Sequence, residues 1–410
     1  MTNETKNIPE LRFPEFEGEW DEKELGDIGE KVKTKNKFEK FDETFTNSAE
    51  QGIVSQKEYF EKDISNSKNL SNYYVVENND FVYNPRISNY APVGPINRNK
   101  LKRTGIMSPL YTIFKMRKVD YTFCEYFFSS TKWHNFMKFN GDSGARSDRF
   151  SIKDSIFFKM PIKVPTNLEQ QKIGDFFSKL DRQIELEEKK LALLEEQKKG
   201  YMQQIFSQEL RFKDENGNNY PEWETLKVKD IAETFRGLTY KPEDIRTEGV
   251  RVLRSSNIIK DKIHFYEDDI FVDERVVKIP LVDEDDILIT AANGSPKLVG
   301  KHAIIEKLKD KSVAGGFMYI LRSNYSKFMQ IWMSTTEYRR IISRVQGGNG
   351  SIGNLSRNDL ENGNITLPCN EEKSKIGNFF KKIDELIERQ YTKIELLKKR
   401  KQGLLQKMFV

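Results

Sequence analysis

Residues 172–206 of the chain read KIGDFFSKLDRQIELEEKKLALLEEQKKGYMQQIF, and residues 375–409 read KIGNFFKKIDELIERQYTKIELLKKRKQGLLQKMF. The two stretches are offset by 203 residues without a gap, and 16 of their 35 positions are identical. The chain has 410 residues, so this offset is close to half its length. A sequence that repeats itself at half its length is expected to consist of two copies of one structural unit.

Apolar residues in the repeated stretch recur at alternating steps of four and three residues. In the first copy they begin with Ile173, Phe177, Leu180 and Ile184, and the second copy is apolar at the corresponding positions. This spacing places the apolar residues on one helix face and is typical of a coiled coil. We therefore expect two long helices that pair with each other, although each helix packing separately on its own domain is an alternative.

Two polar residues interrupt each apolar stripe at matching places. They are Glu187 and Lys198 in the first helix and Gln390 and Lys401 in the second. In a twofold-symmetric antiparallel pair, Glu187 can face Lys401 and Gln390 can face Lys198. A polar layer costs stability but fixes the register, because a slip places a charge against leucine. The sequence therefore predicts this register for the coiled coil.

The composition predicts a folded protein and argues against a secreted or membrane-spanning one. Hydrophobic residues make up 37% of the chain and charged residues 32%, which suits folded domains joined by long solvated helices. The net charge of +5 permits an anionic partner such as nucleic acid without requiring one. Two isolated cysteines, Cys124 and Cys369, suggest a reducing compartment. The first twenty residues contain no apolar run, so we expect a cytoplasmic protein without a membrane span.

The similarity of the two halves extends beyond the helices. Each half has a tryptophan near its start (Trp20 or Trp223), a glycine-rich loop (141–144 or 347–350) and a proline before the helix. Between these landmarks the residues diverge almost completely. One scaffold with two sets of loop residues suits the reading of two different targets, although drift of a surface without a role would give the same pattern. The predicted segments are two domains, 1–164 and 208–367, and two helical segments, 165–207 and 368–410.

Motifs for catalysis are incomplete in this sequence. Residues 294–302 have five residues between two glycines and a histidine after the lysine, whereas a phosphate-binding loop has four and a Ser or Thr. Residues 141–144 read GDSG, but no histidine and carboxylate accompany them in the pattern of a serine protease. The three histidines lack metal-ligand spacing. We therefore expect no catalytic residue and no metal site; the histidines are His134, His264 and His302.

The start of each long helix carries a resemblance to a known family. Residues 165–174 read PTNLEQQKIG, and the long helix that follows is repeated after residues 368–377, which read PCNEEKSKIG. The second copy departs from the first by having Lys373-Ser374 in place of Gln170-Gln171. The order of domain, helix, domain, helix covers the whole chain. In these features the chain resembles the specificity subunit of a type I restriction-modification enzyme.

This resemblance implies an α+β fold with two similar α/β target-recognition domains. The two long helices would separate them as an antiparallel coiled coil with pseudo-twofold symmetry. Each domain would read one half of a bipartite target in double-stranded DNA. Two methyltransferase subunits with S-adenosylmethionine, and restriction (translocase) subunits using ATP and magnesium, would join this chain. The chain lacks the Asn-Pro-Pro-aromatic motif of adenine methyltransferases, so it would direct the reaction without performing it.

Two other functions compete with this interpretation. A coiled-coil scaffold that joins protein partners would explain the helices. It would not explain why two domains share one scaffold and differ in their loop residues. A self-sufficient DNA-cutting enzyme would need a bond-breaking site. The helix length suits the reading of a bipartite DNA target, since 35 residues span ~52 Å, or roughly 15 base pairs. Inserting a few residues near Gly200 should then change the spacer of the target.

Candidate DNA-reading residues are the Arg, Lys, Asn, Ser and Tyr side chains of the loops. Such side chains contact base edges, whereas other contacts to phosphates position the domain. Any one of them could instead be an ordinary loop residue. The candidates in the first half are Asn84, Arg86, Asn89, Tyr90, Arg146 and Arg149. The candidates in the second half are Arg254, Asn257, Asn293, Ser295, Lys297 and Asn349.

Overall fold

The computed structural model describes residues 7–60, 67–142, 148–343 and 353–410. The chain forms two compact units. Unit 1 comprises Met1–Lys189 and Tyr391–Val410, and unit 2 comprises Lys190–Gln390. Each compact unit therefore contains one part of each repeated helix as well as one of the two α/β regions.

The described residues of unit 1 form ten strands and the short helices of the first half, and the end of α10 (Asn370–Met408) belongs to this unit too. Its strands are β1 (Asp21–Glu24), β2 (Gly29–Lys31), β3 (Phe45–Ser48), β4 (Gly52–Ser55), β5 (Tyr74–Val76), β6 (Phe81–Tyr83), β7 (Ile96–Arg98), β8 (Gly105–Met107), β9 (Thr112–Met116) and β10 (Pro161–Val164). Its helices are α1 (Leu25–Ile28), α2 (Gln56–Phe60), α3 (Tyr121–Ser129), α4 (His134–Asn140), α5 (Asp154–Phe157) and the first part of α6 (Asn167–Phe206), with a 3-10 helix at Ser67–Asn72.

Unit 2 repeats this plan with additional short strands. Its strands are β11 (Glu224–Lys227), β12 (Glu233–Arg236), β13 (Ile245–Arg246), β14 (Val250–Leu253), β15 (Ile258–Ile259), β16 (Lys262–Ile263), β17 (Phe271–Val272), β18 (Ile287–Thr290), β19 (Ala292–Asn293), β20 (His302–Ile304), β21 (Ser312–Ala314), β22 (Met318–Arg322), β23 (Gly353–Asn354) and β24 (Asn364–Leu367). Its helices are α7 (Ser326–Trp332), α8 (Thr336–Ser343), α9 (Arg357–Glu361), the second part of α6 and the first part of α10 (Asn370–Met408), with 3-10 helices at Val228–Asp230, Pro242–Asp244, Ser255–Asn257, Glu274–Val276 and Pro296–Leu298.

The same antiparallel sheet lies at the centre of each unit. In unit 1 the strand order is β2-β9-β6-β7, and in unit 2 the corresponding strands β12-β22-β18-β20 continue into β16 and β15. Two-stranded ribbons repeat as well, because β1 pairs with β10 and β11 pairs with β24 in the same register. Equivalent strands therefore occupy equivalent places in the two units, as the 203-residue repeat predicts.

Aromatic side chains attach the end of one long helix to each sheet-bearing core. In unit 1 the ring of Phe409 lies 6.3 Å from that of Trp20 and 5.3 Å from that of Phe123. In unit 2 the ring of Phe206 lies 5.9 Å from that of Trp223 and 5.5 Å from that of Phe328. Such edge and tilted ring contacts add to the apolar area that they bury. Helix α6 thus ends in the core of unit 2, and α10 ends in the core of unit 1.

A buried ion pair attaches the start of each long helix. Glu169 of α6 accepts two hydrogen bonds from Arg12, at 2.8 and 2.7 Å. Glu372 of α10 accepts two from Arg211, at 3.2 and 2.7 Å. Both carboxylates are fully buried, so each depends on its arginine for compensation of its charge. The two pairs occupy equivalent positions in the repeat.

Within each unit the two helix segments run antiparallel to each other. In unit 1, Lys401 binds Asp181 at 2.5 Å and Lys398 binds Glu188 at 2.7 Å. In unit 2, Lys198 binds Asp384 at 2.6 Å. Lys198 and Lys401 are equivalent in the repeat, and so are Asp181 and Asp384. The same ion pair therefore forms once in each unit.

The predicted coiled-coil register is wrong. Lys401 binds Asp181 rather than Glu187, which lies six residues, or about 9 Å, further along the helix. Glu187 binds Lys393 instead, and Lys198 binds Asp384 rather than facing Gln390. We attribute this stagger to the aromatic contacts that attach each helix end to its core. The charged partners of these long side chains therefore lie six to eight residues, or about two helical turns, from those expected.

The observed architecture confirms the predicted α+β class, with two similar α/β regions and two long helices. The four-segment division made from the sequence differs from the compact units, because the units divide both helices near their middle. Assignment of segments 1–164 and 208–367 to recognition, and of 165–207 and 368–410 to spacing, stays a proposal about function.

Candidate nucleic-acid interface

In unit 1 the candidate residues meet beyond the carboxyl end of strand β6. The carbonyl of Pro85 accepts a hydrogen bond of 2.7 Å from the amide of Phe150. Next to this hydrogen bond, the backbones of Arg86 and Arg149 form an antiparallel bridge. The loop after β6 and the segment after the glycine-rich turn therefore form one surface.

Three candidate side chains on this surface are open to solvent. The side chain of Arg86 is 74% exposed and Tyr90 is 76% exposed, and Asn89 is exposed as well. Arg86 lies 3.9 Å from the carboxylate of Asp148, which is itself half exposed. An exposed ion pair of this length contributes little stability. Arg86 can therefore leave Asp148 for a phosphate or a base edge at little cost.

Asn84 holds the loop in place. Its Nδ2 donates a hydrogen bond of 2.8 Å to the carbonyl of Asn47, and its Oδ1 accepts one of 3.0 Å from the amide of Arg86. Asn47 in turn is buried and donates to the carbonyl of Val82 at 2.7 Å. These contacts place Asn84 beneath Arg86, so we assign it to positioning rather than to direct reading of a base.

In unit 2 the equivalent strand β18 leads into the second group of candidates. Asn293 lies in β19, and its Oδ1 accepts a hydrogen bond of 2.9 Å from the amide of Ser295. Strand β19 is held by β23, through the pairing of Asn293 with Gly353. Ser295 and Lys297 are exposed in the loop that follows. The geometry thus presents a hydroxyl and an ammonium group beyond the end of β18.

Arg254 joins the same strand end through its neighbour Ser255. The hydroxyl of Thr290, the last residue of β18, donates a hydrogen bond of 3.0 Å to Ser255 Oγ. Lys301 Nζ donates one of 3.3 Å to the Ser255 carbonyl. The buried Nε of Arg254 has no hydrogen-bond partner among the described residues. A buried N–H group without a partner is costly, but its burial also keeps this group out of contact with DNA, so only the exposed part of the half-buried Arg254 side chain can meet a phosphate.

The prediction for Asn257 is corrected by its burial. The residue is 0% exposed, and its Nδ2 donates hydrogen bonds of 2.9 Å to the His264 carbonyl and 2.8 Å to Asp269 Oδ1. Its Oδ1 accepts a hydrogen bond from the amide of Arg254. Asn257 therefore shapes the turn that carries Arg254 and has no access to a base. Two further candidates, Arg146 and Asn349, lie outside the described residues.

Several lysine and phenylalanine side chains at these strand ends were not predicted from the sequence. In unit 1, residues 33–40 contain four lysines around Phe38, which is 95% exposed. In unit 2, the ring of Phe317 is 70% exposed, and its carbonyl accepts hydrogen bonds from the amides of Ala291 and Ala292. The density of lysine around an aromatic residue was a sequence signal for the first group. No local signal marked Phe317 or Lys301, whose neighbours come from distant strands.

His302 and His134 fit packing roles, whereas His264 is exposed. His302 is 6% exposed on β20, and its Nδ1 lies 3.0 Å from the carbonyl of Gly300. Burial lowers the pKa of His302 below its usual value. Burial likewise lowers the pKa of His134. Across the described ranges, no group of three or more His, Cys, Asp or Glu side chains could hold a metal ion. No helix in the same ranges has the length and apolarity that a bilayer crossing requires.

Comparison with known proteins defines the class of protein to which this architecture corresponds. The family model for the type I restriction modification DNA specificity domain matches residues 17–196 and 220–399. The two matches are offset by the same 203 residues as the repeat, and together they cover most of the chain. The chain therefore belongs to the family of type I restriction-modification DNA specificity proteins.

Curated relatives resemble parts of the chain. The specificity subunit of the type I restriction enzyme MjaVIII from Methanocaldococcus jannaschii is 26% identical over 267 residues, covering 62% of this chain and 62% of that protein. The EcoKI specificity subunit from Escherichia coli K12 is 28% identical over 173 residues, covering 40% of this chain and 36% of that protein. The matched region thus spans less than two thirds of the length of these relatives.

Solved structures share the fold over almost the whole chain. A chain from a study of complex assembly and conformational transition of the type I R-M system superposes with a TM-score of 0.59, covering 95% of this chain and 97% of that chain at 14% identity. The S subunit of a type I restriction-modification system from M. genitalium gives a TM-score of 0.54, covering 98% and 99% at 14% identity. At this level of identity the likeness concerns the fold.

Proposed function

We propose that this chain is the specificity subunit of a type I restriction-modification complex. It reads a bipartite target in double-stranded DNA, one half-target for each unit. The observation that carries this proposal is the repetition of polar and cationic loops beyond the carboxyl ends of the equivalent strands β6 and β18. Membership of the DNA specificity family supports the same function, and a protein scaffold would have no need of two such loop sets.

The exposed candidates have different tasks in this proposal. Arg86 in unit 1 and Lys297 in unit 2 are long enough to reach base edges or phosphates. Arg254 precedes Ser255, whose carbonyl accepts a hydrogen bond from Lys301, and both cations are half-buried at the same strand end, so we assign this pair to a phosphate. Asn84 and Asn257 position the loops through their side-chain amides.

Catalysis belongs to partner subunits in this proposal. Two methyltransferase subunits, with S-adenosylmethionine, would methylate one adenine in each half-target. Restriction subunits with ATP and magnesium would act on unmodified DNA. The chain itself would be non-catalytic, in keeping with the family to which it belongs. Purified chain incubated with plasmid and magnesium should therefore leave the plasmid intact.

The long helices supply docking surfaces for these partners. Leu193 of α6 is 54% exposed and Leu396 of α10 is 62% exposed. The two leucines are equivalent in the repeat, and each lies among charged residues on its helix. A protein interface commonly has an apolar centre with a polar rim. We assign one leucine to each methyltransferase subunit, because a duplicated surface fits two copies of one partner.

Mapping of methylated adenines tests the proposal directly. DNA from cells that express the chain with its methyltransferase should carry methyl groups at two short sequences, separated by a spacer of fixed length. Exchanging residues 208–367 for those of a relative should alter one of the two sequences only. Methylation that ignores the exchange, or that occurs without this chain, would contradict the proposed function.

Binding measurements separate the proposal from a protein scaffold. The assembled complex should bind a duplex that carries the mapped target, with an affinity that falls steeply as salt rises. The variants Arg86→Ala and Lys297→Ala should each weaken binding to one half-target. A uniform loss across all sequences would reassign that residue to a phosphate contact. No binding of duplex at low salt would favour the scaffold.

A further inference from the structure

A short loop in unit 1 is held rigidly by one buried asparagine. Asn36 is 3% exposed; its Nδ2 donates a hydrogen bond of 2.7 Å to the carbonyl of Phe41, and its Oδ1 accepts one of 3.1 Å from the Phe41 amide. The Asn36 carbonyl accepts another, of 2.8 Å, from the amide of Glu39, whose φ is +49°. These bonds close residues 36–41 into a defined turn.

Phe38 lies at the tip of this turn and is 95% exposed. Phe41, the next aromatic residue along the chain, is only half exposed, since its backbone amide donates a hydrogen bond to Asn36. An isolated exposed apolar side chain is common and by itself needs no explanation. A ring presented on a turn that a buried amide fixes is different, because folding sets the direction in which the ring projects.

The turn is strongly basic. Lys33, Lys35, Lys37 and Lys40 are exposed, and Glu39 is the one acidic residue among residues 33–40. None of these four lysines forms an ion pair with a residue of the described ranges, although Lys40 Nζ lies 5.5 Å from the centre of the Phe41 ring. Four unpaired ammonium groups around a projecting ring suit a polyanion with stacked bases.

Strand pairing places this turn at the DNA-reading end of the sheet. Strands β2 and β6 both pair antiparallel with β9, so they run parallel to each other. The amide of Val32, just after β2, donates to the carbonyl of Ile113, and Tyr83 at the end of β6 pairs with Thr112. The chain therefore leaves β2 towards the turn at the same end of the sheet where it leaves β6 towards Arg86.

We propose that Phe38 acts as a wedge that inserts at a base step of the half-target read by unit 1. The four lysines hold the flanking phosphates, and the phenyl ring stacks on a base that it partly separates from its neighbour. Proteins insert apolar side chains between base steps in this way when they distort a duplex. The inference rests on the proposed function, and it adds reading of duplex deformability to reading of base edges.

Unit 2 has a different structure at the equivalent position. After β12 the chain continues into Leu238, which is 7% exposed, and its amide donates 2.7 Å to the carbonyl of Ala314. Tyr240 is half-buried, and Lys241 lies 3.5 Å from Glu243. The segment after β12 thus packs on the unit instead of projecting a ring. The half-target read by unit 2 therefore serves as a reference for this turn, while the exposed Phe317 of unit 2 projects from a different strand end.

Fluorescence of 2-aminopurine tests the wedge in the assembled complex of the chain with its methyltransferase subunits. The probe is a duplex carrying both mapped half-targets, with 2-aminopurine replacing one adenine at a time outside the methylated positions. Binding should raise the fluorescence at one step in the half-target of unit 1. Phe38→Ala should remove most of this rise and weaken binding about 10-fold, whereas Phe38→Trp should retain both.

Two control variants separate the ring from the charges and from general surface effects. Lys33→Ala, Lys35→Ala and Lys37→Ala combined should lower the slope of log affinity against log salt by about 2 to 3, a slope that Phe38→Ala leaves unchanged. Leu168→Ala removes a side chain that is 72% exposed on α6 and should change neither readout. The melting temperature should be the same for all these variants and the original chain.

Three outcomes would overturn the wedge. The first is unchanged fluorescence and affinity in Phe38→Ala. The second is an equal loss of fluorescence in both half-targets, which would indicate a global change. The third is loss of methyltransferase binding by Phe38→Ala, which would make the ring a protein contact. Absence of any salt-dependent binding by the original complex would instead contradict the proposed function itself.

Discussion

Two buried aspartates at equivalent positions have different surroundings. Asp80 precedes β6 and Asp286 precedes β18, and each is 2% exposed. Asp286 accepts two hydrogen bonds from Arg322, at 2.8 and 2.7 Å. Asp80 accepts one of 2.7 Å from the amide of Glu77, while Lys115, at the position equivalent to Arg322, binds Glu77. Burial without a direct cation partner raises the pKa of Asp80 to about 6.

This difference predicts that Asp80 makes the free energy of unfolding depend on pH. Its folded pKa lies above the unfolded value of about 3.9, so the folded chain binds the proton more tightly. The stability contributed by Asp80 is therefore fully present below about pH 4 and is lost as pH rises through about 6. Asp80→Asn should remove this loss, which amounts to about 2–3 kcal/mol.

Urea unfolding followed by tryptophan fluorescence between pH 4 and 8 measures this effect. The difference in unfolding free energy between Asp80→Asn and the original chain should grow in favour of the variant as pH rises to about 7. Asp42→Asn, at an exposed aspartate, is the control and should give a flat difference. Parallel curves for Asp80→Asn and the original chain would show that Asp80 does not titrate in this range.

The ion pairs at the helix starts lead to a second prediction. Among the described residues, Arg211→Met leaves the 3.1 Å hydrogen bond from Trp223 Nε1 as the one side-chain contact of this kind to the fully buried Glu372. An uncompensated buried carboxylate should destabilise unit 2 by about 2–4 kcal/mol. Hydrogen exchange measured by mass spectrometry should show faster exchange in β11 and β24, with unit 1 unchanged.

Matched variants test whether the charge causes this loss. Arg12→Met should act in the same way on β1 and β10 of unit 1, because Glu169 depends on Arg12. The double variant Arg211→Met with Glu372→Gln should recover part of the stability, since it removes the unpaired charge. Equal exchange rates in the single and double variants would assign the loss to packing of the arginine stem instead.

At the scale of elements, periodicity predicts the long helices well and their register poorly. The four-three spacing from Ile173 onward follows from helix geometry alone, so one sequence suffices to find it. The register depends on contacts at the helix ends, such as Phe409 against Trp20, which join residues almost 400 positions apart. Lysine is long and flexible and pairs with whichever carboxylate that stagger brings near. Polar interruptions alone therefore do not determine the register.

A double-mutant cycle tests the observed register. Lys401→Ala and Asp181→Ala should show a coupling free energy of about 0.5–1 kcal/mol, the range for partly exposed ion pairs. Lys401→Ala and Glu187→Ala should be additive, because Glu187 binds Lys393. Urea unfolding of the four variants and the original chain gives both couplings. Coupling to Glu187 but not to Asp181 would restore the register predicted from the sequence.

The positions of the candidate DNA-reading loops were predictable from the sequence, whereas the roles of individual loop residues were less so. The positions after β6 and β18 follow from the polar stretches between strand-like segments, and Arg86, Ser295 and Lys297 are exposed there. The amides of Asn84 and Asn257 are used by carbonyls that the fold brings near. Asparagine suits base reading and loop support equally well. Only the partners supplied by the fold separate the two roles.

At the scale of the whole molecule, we propose that the length of the paired helices sets the spacer between the half-targets. One heptad inserted after Lys189 and another after Gln390 should lengthen the preferred spacer by about 3 base pairs, since seven residues rise ~10.5 Å. Both insertions fall at the boundary between the compact units. They therefore leave the ion pairs inside each unit intact. Mapping methylated adenines gives the new spacer.

Insertion near Gly200, which the sequence alone suggested as the test of spacer length, serves instead as a control for this design. Gly200 lies between the Lys198–Asp384 ion pair and the contact of the Tyr201 and Phe379 rings at 5.2 Å. Seven residues added there in α6 alone would displace one contact from the other and destabilise unit 2. Methylation with the original spacer after the paired insertions would show that the helices do not set the distance.

The attachment of Phe409 beside Trp20, and of Phe206 beside Trp223, has a consequence for ancestry. Each core is completed by the end of the helix that follows the other α/β region. A half-length chain of this design could not close its own core, but two identical copies could close each other's. Joining two such copies end to end would preserve every one of these contacts. In such a joined chain, the loops of one half could diverge while those of the other half stayed the same, so new target combinations could arise one half at a time.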